Sequence, residues 1–463
     1  MNLEHIIDRL KEQDYASFNL DTLYNLLLSY DFDNIDHSFE VPVIDSKTDY
    51  GRNILMMDPM EVVILYWPPG VSSAIHHHQG FWGVVAVVSG ELENISYRFE
   101  YKKLWESLRE RGLPGGLIKE EDGVIHELCN PSETEAAVTI HFYCPALESF
   151  DKMVLFEKDE RKIGLLNADA QTASWHEPNS SFHKVETDAF ELLPCNPRSI
   201  DNPPSHRIYP IVPKPSADKI ATYISDYYDE QSKEYDHFDT SHTSRARYVD
   251  KVNELIALDL REMPELESVL SIACGTGRRE VAIQRKSERQ YALYGTDLSP
   301  EMCDLATDRG IEVNQGRWLE TDYKDQRFDA ITILYAFGHI SSRKLREEVL
   351  AKVADHLKTG GRLYFDVFNL HDKNEWGPSA RSMFEKRDLE KLGYELGDVF
   401  YRKSTGKVPA YLHYFEEKDV IDMIESSGLH VVSTQHVGYT VKSGELLDRE
   451  DEGAIFIIAE KRA

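Results

Sequence analysis

The sequence predicts two domains of different class: an all-β barrel preceded by two helices, and then an α/β domain built on a parallel sheet. A length of 463 residues is too great for one domain of roughly 150 residues. Eight of the 19 prolines fall between Pro178 and Pro215, in a stretch without helical or strand periodicity. We therefore predict an N-terminal domain at 1–175, a proline-rich linker at 176–212 and a C-terminal domain at 213–463.

The N-terminal part has the pattern of short antiparallel strands. After two helical stretches, β-branched runs separated by turns occupy residues 62–67, 82–88, 92–99 and 136–143. Closely spaced runs of this kind are typical of an antiparallel barrel or sandwich.

The C-terminal part has a different period. Apolar strand-like runs at residues 269–273, 292–296, 330–334 and 362–367 alternate with helical segments. Such alternation indicates βαβ units and a doubly wound, Rossmann-like parallel sheet.

Composition excludes several classes of partner. Hydrophobic residues make up 41% of the chain, enough for packed cores, and the formal net charge is −29. A surface this acidic repels nucleic acid and anionic lipid, so we expect small-molecule substrates. The longest uncharged apolar stretch, residues 80–90, is shorter than the roughly 20 residues that a membrane-spanning helix needs. No signal peptide is evident, and five cysteines without a C-x-x-C pair suit a reducing cytosol, which predicts a cytoplasmic protein.

A histidine cluster marks the predicted barrel. His76 and His78 are two residues apart on a predicted strand and share one face, whereas His77 points the other way. Two imidazoles on one inward face can chelate a metal, and His126 follows in a turn-rich stretch. Further along, Thr139, His141 and Tyr143 alternate with apolar residues and share one face of the last strand. A polar face there indicates a site inside the barrel.

The spacings around these histidines are similar to both halves of the cupin metal-site pattern: Gly70-x5-His76-x-His78 before Gly90, then Gly115-x5-Glu121-x-Gly123-x2-His126-x3-Asn130. The glutamate usual in cupins falls at Gly83. The metal would therefore have three neutral imidazoles and open positions, which suits an Fe(II) ion that handles both a substrate and O2.

From residue 50 to residue 145 the sequence resembles the cysteine dioxygenase family of thiol dioxygenases. The resemblance implies that His76, His78 and His126 hold iron and that Arg52 binds the substrate carboxylate. It also implies a catalytic network of Thr139, His141 and Tyr143 beside the iron. The cysteine that crosslinks to the tyrosine in animal members corresponds to Gly83, so no crosslink is expected.

A glycine-rich loop follows the first strand of the C-terminal part. It contains Gly275 and Gly277, and Asp297 stands twenty residues later at the end of the next strand. This pairing predicts a nucleoside-binding loop with an acid for the ribose hydroxyls. Glu280 occupies the third glycine position of a dinucleotide-binding fingerprint, which argues against a dehydrogenase.

Residues 220–435 resemble small-molecule methyltransferases that use S-adenosylmethionine (SAM). The resemblance implies SAM binding by Tyr235, Ala273, Gly275, Gly277, Asp297, Leu298, Arg317 and Trp318. Two positions depart from the family pattern: Ser271 replaces an acid, and Ala273 replaces a glycine. His339 would be either a general base for the methyl acceptor or a residue that orients its loop.

Together these features predict a bifunctional enzyme: an iron-dependent thiol dioxygenase and a SAM-dependent methyltransferase acting on the same or a related metabolite. Specialised sulfur or natural-product metabolism is the expected setting. Two alternatives stay open from the sequence. The cupin domain could be a non-catalytic metal-binding regulator of the methyltransferase, or it could be an isomerase or lyase. The identity of the methyl acceptor, the reaction order and the oligomeric state are not encoded in these motifs.

Overall fold

The computed structural model describes residues 3–15, 17–35, 42, 44, 49–193, 208–240, 244–402 and 408–462. These residues form two compact units, one reaching residue 215 and the other spanning 216–462. The predicted fold class is confirmed, with two helices and a β-rich cupin region followed by a Rossmann-like α/β unit. No described helix is long and apolar enough to cross a membrane.

The N-terminal unit begins with two helices, α1 (Leu3–Lys11) and α2 (Leu20–Leu27), and continues with strands only, apart from one 3-10 turn. Its strands are β1 (Gly51–Met56), β2 (Glu61–Trp67), β3 (Ile75–His77), β4 (Trp82–Ser89), β5 (Leu92–Glu100), β6 (Lys103–Gly112), β7 (Leu117–Glu120), β8 (Ile125–Cys129), β9 (Ala137–Cys144), β10 (Val154–Glu157), β11 (Lys162–Leu166), β12 (Phe182–Glu186), β13 (Glu191–Leu193), β14 (Ile208–Tyr209) and β15 (Ile211–Val212).

Two sheets organise these strands. One has the order β1-β2-β9-β4-β7, and the other contains the run β12-β11-β10-β3-β8-β5-β6-β13. Strand alternation gives the first sheet two different faces. Val62, Ile64, Ile140 and Phe142 join the apolar side chains of α1 and α2 in one core. The intervening side chains on β2 and β9 therefore point into the barrel, where the polar residues of β9 lie.

Part of the stretch predicted as a linker belongs to the N-terminal unit. Strand β12 pairs with β11, and β13 runs parallel to β6. Phe190, between them, is 4% exposed and packs against Phe99 and Phe156. Edge strands tolerate irregular patterning and neighbouring prolines, so these short strands had no clear periodicity in the sequence. Residues 194–207 of the predicted linker, including Cys195, lie outside the described residues.

The C-terminal unit alternates helices and strands. Its helices are α3 (Ala217–Thr240), α4 (Ser244–Glu262), α5 (Arg278–Ser287), α6 (Pro300–Asp308), α7 (Arg343–His356), α8 (Gly377–Lys386) and α9 (Glu417–Ser426). Its strands are β16 (Ser268–Ile272), β17 (Ala292–Asp297), β18 (Glu312–Gln315), β19 (Phe328–Ile333), β20 (Leu357–Val367), β21 (Asp398–Tyr401), β22 (Ala410–His413), β23 (His430–Val437), β24 (Leu446–Leu447) and β25 (Ala454–Glu460).

The main sheet of this unit has the order β18-β17-β16-β19-β20-β25-β23-β24. Strands β16 to β20 are parallel, while β25 and β23 pair antiparallel at the far side. The strand order reverses direction at β16, which lies between β17 and β19. In doubly wound sheets, ligands bind at the carboxyl ends of the strands at such a switch point.

Candidate active sites

The three histidines of the barrel converge on one point. His76 on β3 and His126 on β8 are register partners, and His78 follows β3 directly. The Nε2 atoms of His78 and His126 are 2.9 Å apart, and one ring nitrogen of each of the three histidines lies within 4.8 Å of the others. Two nitrogens bound at right angles, each about 2.1 Å from one ion, would be separated by ~3 Å. The cluster therefore has the spacing of a metal-binding donor set.

Hydrogen bonds and burial keep these rings in the form that binds metals. Nδ1 of His76 donates to the carbonyl of Ala74 at 2.9 Å, and Nδ1 of His126 donates to Oδ1 of Asn94 at 2.8 Å. Both rings thus present an Nε2 lone pair to the cluster. Burial lowers the pKa of His76, His78 and His126, which favours neutral imidazoles. The residues present fit a divalent metal ion.

A directed chain of hydrogen bonds runs through the barrel beside the histidines. The indole Nε1 of Trp67 donates to Oγ1 of Thr139 at 2.8 Å, and Thr139 lies 2.8 Å from Nε2 of His141. Because Thr139 is fully buried, its own hydroxyl hydrogen needs an acceptor, and Nε2 of His141 is in position. His141 then carries its hydrogen on Nδ1 and donates to the Tyr143 hydroxyl at 2.8 Å.

Burial supports this assignment, because it lowers the pKa of His141 to about 3 and so keeps its ring neutral. The Tyr143 hydroxyl accepts from His141 and retains a hydrogen of its own. Burial raises the pKa of that phenol well above its ordinary value, so it remains protonated. Trp67 was not singled out in the sequence, because a core tryptophan gives no motif.

A cavity of about 70 Å³ joins these groups. Arg52, His76, His78, His141 and Tyr143 line it, whereas His126 and Thr139 are not among its lining residues. Its remaining walls are mainly apolar and include Phe81, Leu147, Phe150 and Met153. Since a single water needs only about 10–15 Å³ of such space, the cavity has room for a small ligand.

Arg52 is held by a carboxylate that the sequence did not reveal. Its Nη2 atom lies 2.7 Å from Oε1 of Glu61, whose side chain is 1% exposed. The other oxygen of Glu61 accepts a hydrogen bond from the backbone amide of Leu147 at 3.2 Å. The pair fixes the guanidinium at the cavity wall and neutralises part of its charge.

A row of register partners crosses the first sheet at the level of Tyr143. Glu61 on β2 pairs with Tyr143 on β9, Tyr143 pairs with Gly83 on β4, and Gly83 pairs with Glu120 on β7. A Cβ atom on Gly83 would lie 2.4 Å from Cδ1 of Tyr143, so the glycine leaves room for the phenol ring. Two buried carboxylates therefore flank Tyr143 in this row.

Glu120 is the more deeply placed of these two carboxylates. Its oxygens lie 3.9 Å from Nε2 of His78 and 3.7 Å from Nδ1 of His126. Burial raises the pKa of Glu120 to about 8, against an opposing contribution from the Tyr143 hydroxyl. Neither oxygen has a partner at normal hydrogen-bond geometry among the described residues.

The C-terminal unit contains a second cavity, of about 320 Å³, at the switch point. Seven of the eight residues predicted to bind the cofactor line it: Tyr235, Ala273, Gly275, Asp297, Leu298, Arg317 and Trp318. Gly277 is not among the lining residues. It precedes α5 with φ 75°, and a Cβ atom there would lie 2.5 Å from Ile311, so this glycine permits close packing beneath the loop.

Asp297 closes the loop onto the strand end. Its Oδ2 atom accepts from the amide of Gly275 at 2.8 Å, and Oδ1 accepts from the amide of Ser299 at 3.0 Å. Burial raises the pKa of the carboxyl, while these amides act in the opposite direction. Each oxygen keeps a lone pair for a ligand hydroxyl. Arg317 lies at the rim and pairs with Asp218 at 2.6 Å.

Ser271 replaces the acid that is usual at this position, and a neighbouring residue supplies a carboxylate. The Ser271 hydroxyl donates to Oε1 of Glu280 on α5 at 2.7 Å, and burial raises the pKa of Glu280. Glu280, which replaces the third fingerprint glycine, thus brings a carboxylate beneath the strand end. The sequence showed both departures but not that they are in contact.

His339 is fixed by two hydrogen bonds at the cavity wall. Its Nδ1 atom donates to the carbonyl of Tyr411 at 2.6 Å, which leaves Nε2 to accept from the Tyr228 hydroxyl at 2.8 Å. Both side chains line the cavity, and burial lowers the pKa of His339 and raises that of Tyr228. Both groups are therefore kept neutral, and the Tyr228 hydroxyl occupies the free lone pair of the ring.

The folds and sites define a chain that joins a cupin domain with a three-histidine metal centre to a Rossmann-like methyltransferase domain. Residues 3–156 match the sequence profile of the family Cysteine dioxygenase type I, and residues 269–361 match that of the family Methyltransferase domain. The chain thus contains a cysteine dioxygenase type I domain and a methyltransferase domain, in that order.

Individual relatives match one domain each. The chain is 31% identical over 121 residues to "Probable tRNA methyltransferase 9B" of Mus musculus, covering 26% of this chain and 24% of that protein. It is 26% identical to "Cysteine dioxygenase type 1" of Danio rerio, covering 29% of this chain and 69% of that protein. The chain therefore spans about a quarter of the tRNA methyltransferase relative.

Solved structures of methyltransferases are similar to about half of the chain. A SAM-dependent methyltransferase from Methanosarcina mazei is 19% identical and covers 44% of this chain and 97% of its own, with a TM-score of 0.37.

Proposed function

We propose that the chain is a bifunctional enzyme. Its N-terminal domain would oxidise a small carboxylate-bearing thiol, such as cysteine or a close analogue, to a sulfinate with O2. Its C-terminal domain would methylate the same or a related metabolite with SAM, in specialised sulfur or natural-product metabolism. The dioxygenase half of the proposal rests on one small cavity. It is lined by the guanidinium of Arg52, the imidazoles of His76 and His78, and the hydroxyl of Tyr143.

The proposed substrate follows from the two ends of that cavity. The guanidinium of Arg52 would bind the carboxylate, because charge-assisted hydrogen bonds to arginine are strong and directional. The thiol would then reach toward the histidine cluster. Its mainly apolar walls, which include Phe150 and Leu147, exclude water from the reacting end.

The three histidines would hold Fe(II), which would supply the redox chemistry that lets a thiol react with O2. Overall, RSH and O2 combine to RSO2H, so atoms and electrons balance without another reductant. Tyr143 would donate its hydroxyl hydrogen to the reacting substrate atoms, with His141 and Thr139 holding its direction. Donors fixed in this way cost no reorganisation during the reaction.

The methyltransferase half rests on the second cavity. Ala273 and Gly275 would let the cofactor approach the backbone, and Asp297 would accept from the ribose hydroxyls. Trp318 and Arg317 would lie beside the adenine, and Tyr235 would close over the ligand. Methyl transfer mainly requires alignment of the nucleophile with the methyl group. An N- or O-methyl acceptor is the more compatible choice, since S-methylation would remove the thiol.

A small-molecule acceptor is favoured over RNA. Some relatives are named tRNA methyltransferases, but the likeness covers about a quarter of their length. A net charge of −29 opposes binding of a polyanion. Another partial relative is named as an N,N-dimethyltransferase of an amino sugar nucleotide, in Saccharopolyspora spinosa.

The direct test incubates Fe(II)-loaded protein with cysteine, homocysteine and 3-mercaptopropionate while oxygen uptake is measured. Mass spectrometry, with and without SAM, then identifies the products. We expect uptake with at least one thiol and a product that has gained two oxygen atoms. Absence of uptake with all three would contradict the dioxygenase assignment. Nickel, zinc or manganese in protein purified without added metal would favour an isomerase or lyase instead.

A further inference from the structure

We propose that an aromatic cage beside the second cavity binds the methyl acceptor, and that this acceptor is a small zwitterionic amine methylated on nitrogen. The cage consists of six half-buried aromatic side chains, with Glu375 and Arg245 as its charged groups. The proposal rests on the proposed methyltransferase function and narrows its acceptor to a nitrogen nucleophile. The six side chains are Tyr228, Tyr235, Tyr335, Trp376, Tyr401 and Tyr439.

Three rings of the cage also line the second cavity. They are those of Tyr228 and Tyr235 on α3 and of Tyr335 after β19. The first two have ring centroids 5.9 Å apart. The guanidinium of Arg245 on α4 bridges the other pair, at 4.7 Å from the Tyr235 centroid and 5.2 Å from the Tyr335 centroid. The cage thus adjoins the space in which the cofactor would bind.

The other three rings complete the cage without lining that cavity. Tyr439, after β23, has its ring centroid 6.0 Å from that of Tyr335. Trp376 lies 5.2 Å from Tyr401 on β21, which lies 5.7 Å from Tyr227 on α3. The indole Nε1 of Trp376 is buried and has no hydrogen-bond partner among the described residues. A buried donor of this kind is normally satisfied, so a ligand oxygen would complete the site.

Glu375 brings a negative charge to this cage. It precedes Trp376, and one of its oxygens accepts a hydrogen bond from the hydroxyl of Thr440, the neighbour of Tyr439. Burial raises the pKa of Tyr439 to about 12, while Arg245 acts in the opposite direction and Glu375 in the same direction. The carboxylate and the guanidinium therefore act on the same ring of the cage.

A zwitterionic amine is the ligand that fits this set of groups. The faces of tyrosine and tryptophan rings attract cations, most strongly where water is excluded. The Glu375 carboxylate would add a charge-assisted hydrogen bond to an ammonium group, and Arg245 would bind an acidic group of the same molecule. A neutral alcohol or phenol would gain neither attraction. The cage therefore favours a nitrogen acceptor over an oxygen acceptor.

Methylation requires the ammonium group of the acceptor to lose one proton. The lone pair that is freed forms the bond to the methyl carbon of SAM, and the bond from that carbon to sulfur breaks with its electron pair left on sulfur. Burial raises the pKa of Glu375 to about 7, so its carboxylate can take the proton near neutral pH and release it to solvent. His339 is not available for this step, because its free lone pair accepts from Tyr228.

The test measures ligand binding to the full-length protein saturated with S-adenosylhomocysteine. Glycine betaine is the probe, because it combines a methylated ammonium with a carboxylate and cannot be methylated further. Its isostere 3,3-dimethylbutanoate has carbon in place of the charged nitrogen, and choline lacks the carboxylate. Saturation-transfer NMR of the methyl signals gives each dissociation constant. We expect glycine betaine to bind at least about 10-fold more tightly than 3,3-dimethylbutanoate, and more tightly than choline.

Variants of the cage test which groups bind the ammonium. Glu375→Gln should raise the dissociation constant of glycine betaine by about 10-fold or more, because a charge-assisted contact is lost. Tyr439→Leu should raise it by about 2- to 30-fold, which corresponds to a cation–π contribution of about 0.5–2 kcal/mol, whereas Tyr439→Phe keeps a ring and should recover most of the affinity. The matched control is Glu385→Gln, which changes an exposed carboxylate on α8 and should leave binding unchanged.

Binding of S-adenosylhomocysteine, measured by calorimetry, separates this proposal from the proposed function. Equal affinities for glycine betaine and 3,3-dimethylbutanoate, in a protein that binds S-adenosylhomocysteine, would overturn the cage and leave the methyltransferase function intact. Choline binding as tightly as glycine betaine would overturn the role of Arg245. A parent protein that does not bind S-adenosylhomocysteine would contradict the methyltransferase function itself.

Discussion

Nδ1 of His141 donates a hydrogen bond to the Tyr143 hydroxyl over 2.8 Å, at the end of a chain that starts at the Trp67 indole. Because the hydroxyl accepts from His141, its own hydrogen is available for donation, and the Glu120 carboxylate is a neighbouring acceptor. Replacing Tyr143 by Phe removes that hydrogen together with the oxygen that accepts from His141. We expect thiol oxidation to slow by about 10²- to 10³-fold, as when one preorganised donor is lost.

Oxygen uptake under single-turnover conditions measures this loss. Tyr101→Phe is the matched control, because Tyr101 is 83% exposed and should leave the rate unchanged. An unaltered rate in Tyr143→Phe would remove the phenol from the mechanism.

Arg52→Gln tests recognition of the carboxylate. Loss of a charge-assisted contact worth about 1.5–3 kcal/mol should raise KM for cysteine by roughly 10- to 150-fold. Cysteamine has no carboxylate, so whatever turnover it supports should hardly change. An equal loss of turnover with cysteine and with cysteamine would mean that Arg52 stabilises the cavity wall and does not bind the substrate carboxylate. Arg52→Lys should recover only part of the affinity, since lysine lacks the planar fork.

Metal-free protein should lose stability on acidification. Burial lowers the pKa of His76, His78 and His126, and lowers that of His141 to about 3, below the 6.5 of an exposed imidazole. The unfolded chain therefore binds protons first. The contribution of these groups to the free energy of unfolding is complete above pH 6.5 and declines as the pH falls, by at most about 1.4 kcal/mol per pH unit and proton.

Glu120 acts in the opposite sense, because its pKa rises from 4.5 to about 8 on folding. Its contribution is complete below pH 4.5 and is lost as the pH rises through 8. The metal-free barrel should therefore be most stable near pH 6.5, and Glu120→Gln should flatten the decline on the alkaline side. Hydrogen exchange of the β2, β4 and β9 amides at pH 5, 6.5 and 8 measures how the stability of the barrel changes with pH. A stability that does not fall from pH 6.5 to 5 would contradict the neutral histidines.

Gly83→Ala should disturb Tyr143 without touching the metal-binding residues. The added methyl group would lie 2.4 Å from the phenol ring and 2.6 Å from the backbone oxygen of Phe142, so both the ring and the strand pairing must shift. We expect a loss of about 1–3 kcal/mol in the free energy of unfolding, together with slower thiol oxidation. Co(II) affinity should stay the same, which separates this effect from damage to the centre. A Gly83→Ala protein with the stability and the thiol oxidation rate of the parent would contradict this account of the close contact.

Asp297→Asn should weaken cofactor binding. Both oxygens of Asp297 accept from backbone amides, whereas an asparagine would turn an N–H group toward one of those amides. We expect the dissociation constant for S-adenosylhomocysteine, measured by calorimetry, to rise by about 10-fold or more, corresponding to ~1.4 kcal/mol. Asp304→Asn, on the exposed face of α6, should bind like the parent. Unchanged binding in Asp297→Asn would exclude the ribose contact.

The fold class and many site positions could be predicted because they depend on local periodicity and fixed spacing. Strand alternation places Thr139, His141 and Tyr143 on one face, and a strand followed by glycines and an acid marks the second cavity. Glu61 and Glu120 could not be found in this way. They meet Tyr143 through the register of β2, β9, β4 and β7, and register depends on long-range pairing that sequence spacing does not contain.

The contact between Glu280 and Ser271 could not be predicted for a different reason. In the sequence it was a departure from a glycine fingerprint, and Ser271 was a departure from an acid. Their hydrogen bond exists only because α5 packs back on β16. The edge strands β12 and β13 were hidden by prolines and by polar residues, since an edge strand need not alternate. These contacts arise from tertiary packing, which outweighs local preference.

The indole at the start of the Trp67 chain has a further consequence. A tryptophan N–H can donate and never accept, so it gives the whole row of hydrogen bonds one polarity. Without it, the Thr139 hydroxyl could turn around, and the imidazole of His141 could exist as two tautomers in exchange. Nitrogen chemical shifts of that ring would then split or broaden in Trp67→Phe. A side chain three hydrogen bonds away from the phenol would thus decide whether the phenol gives a hydrogen or accepts one.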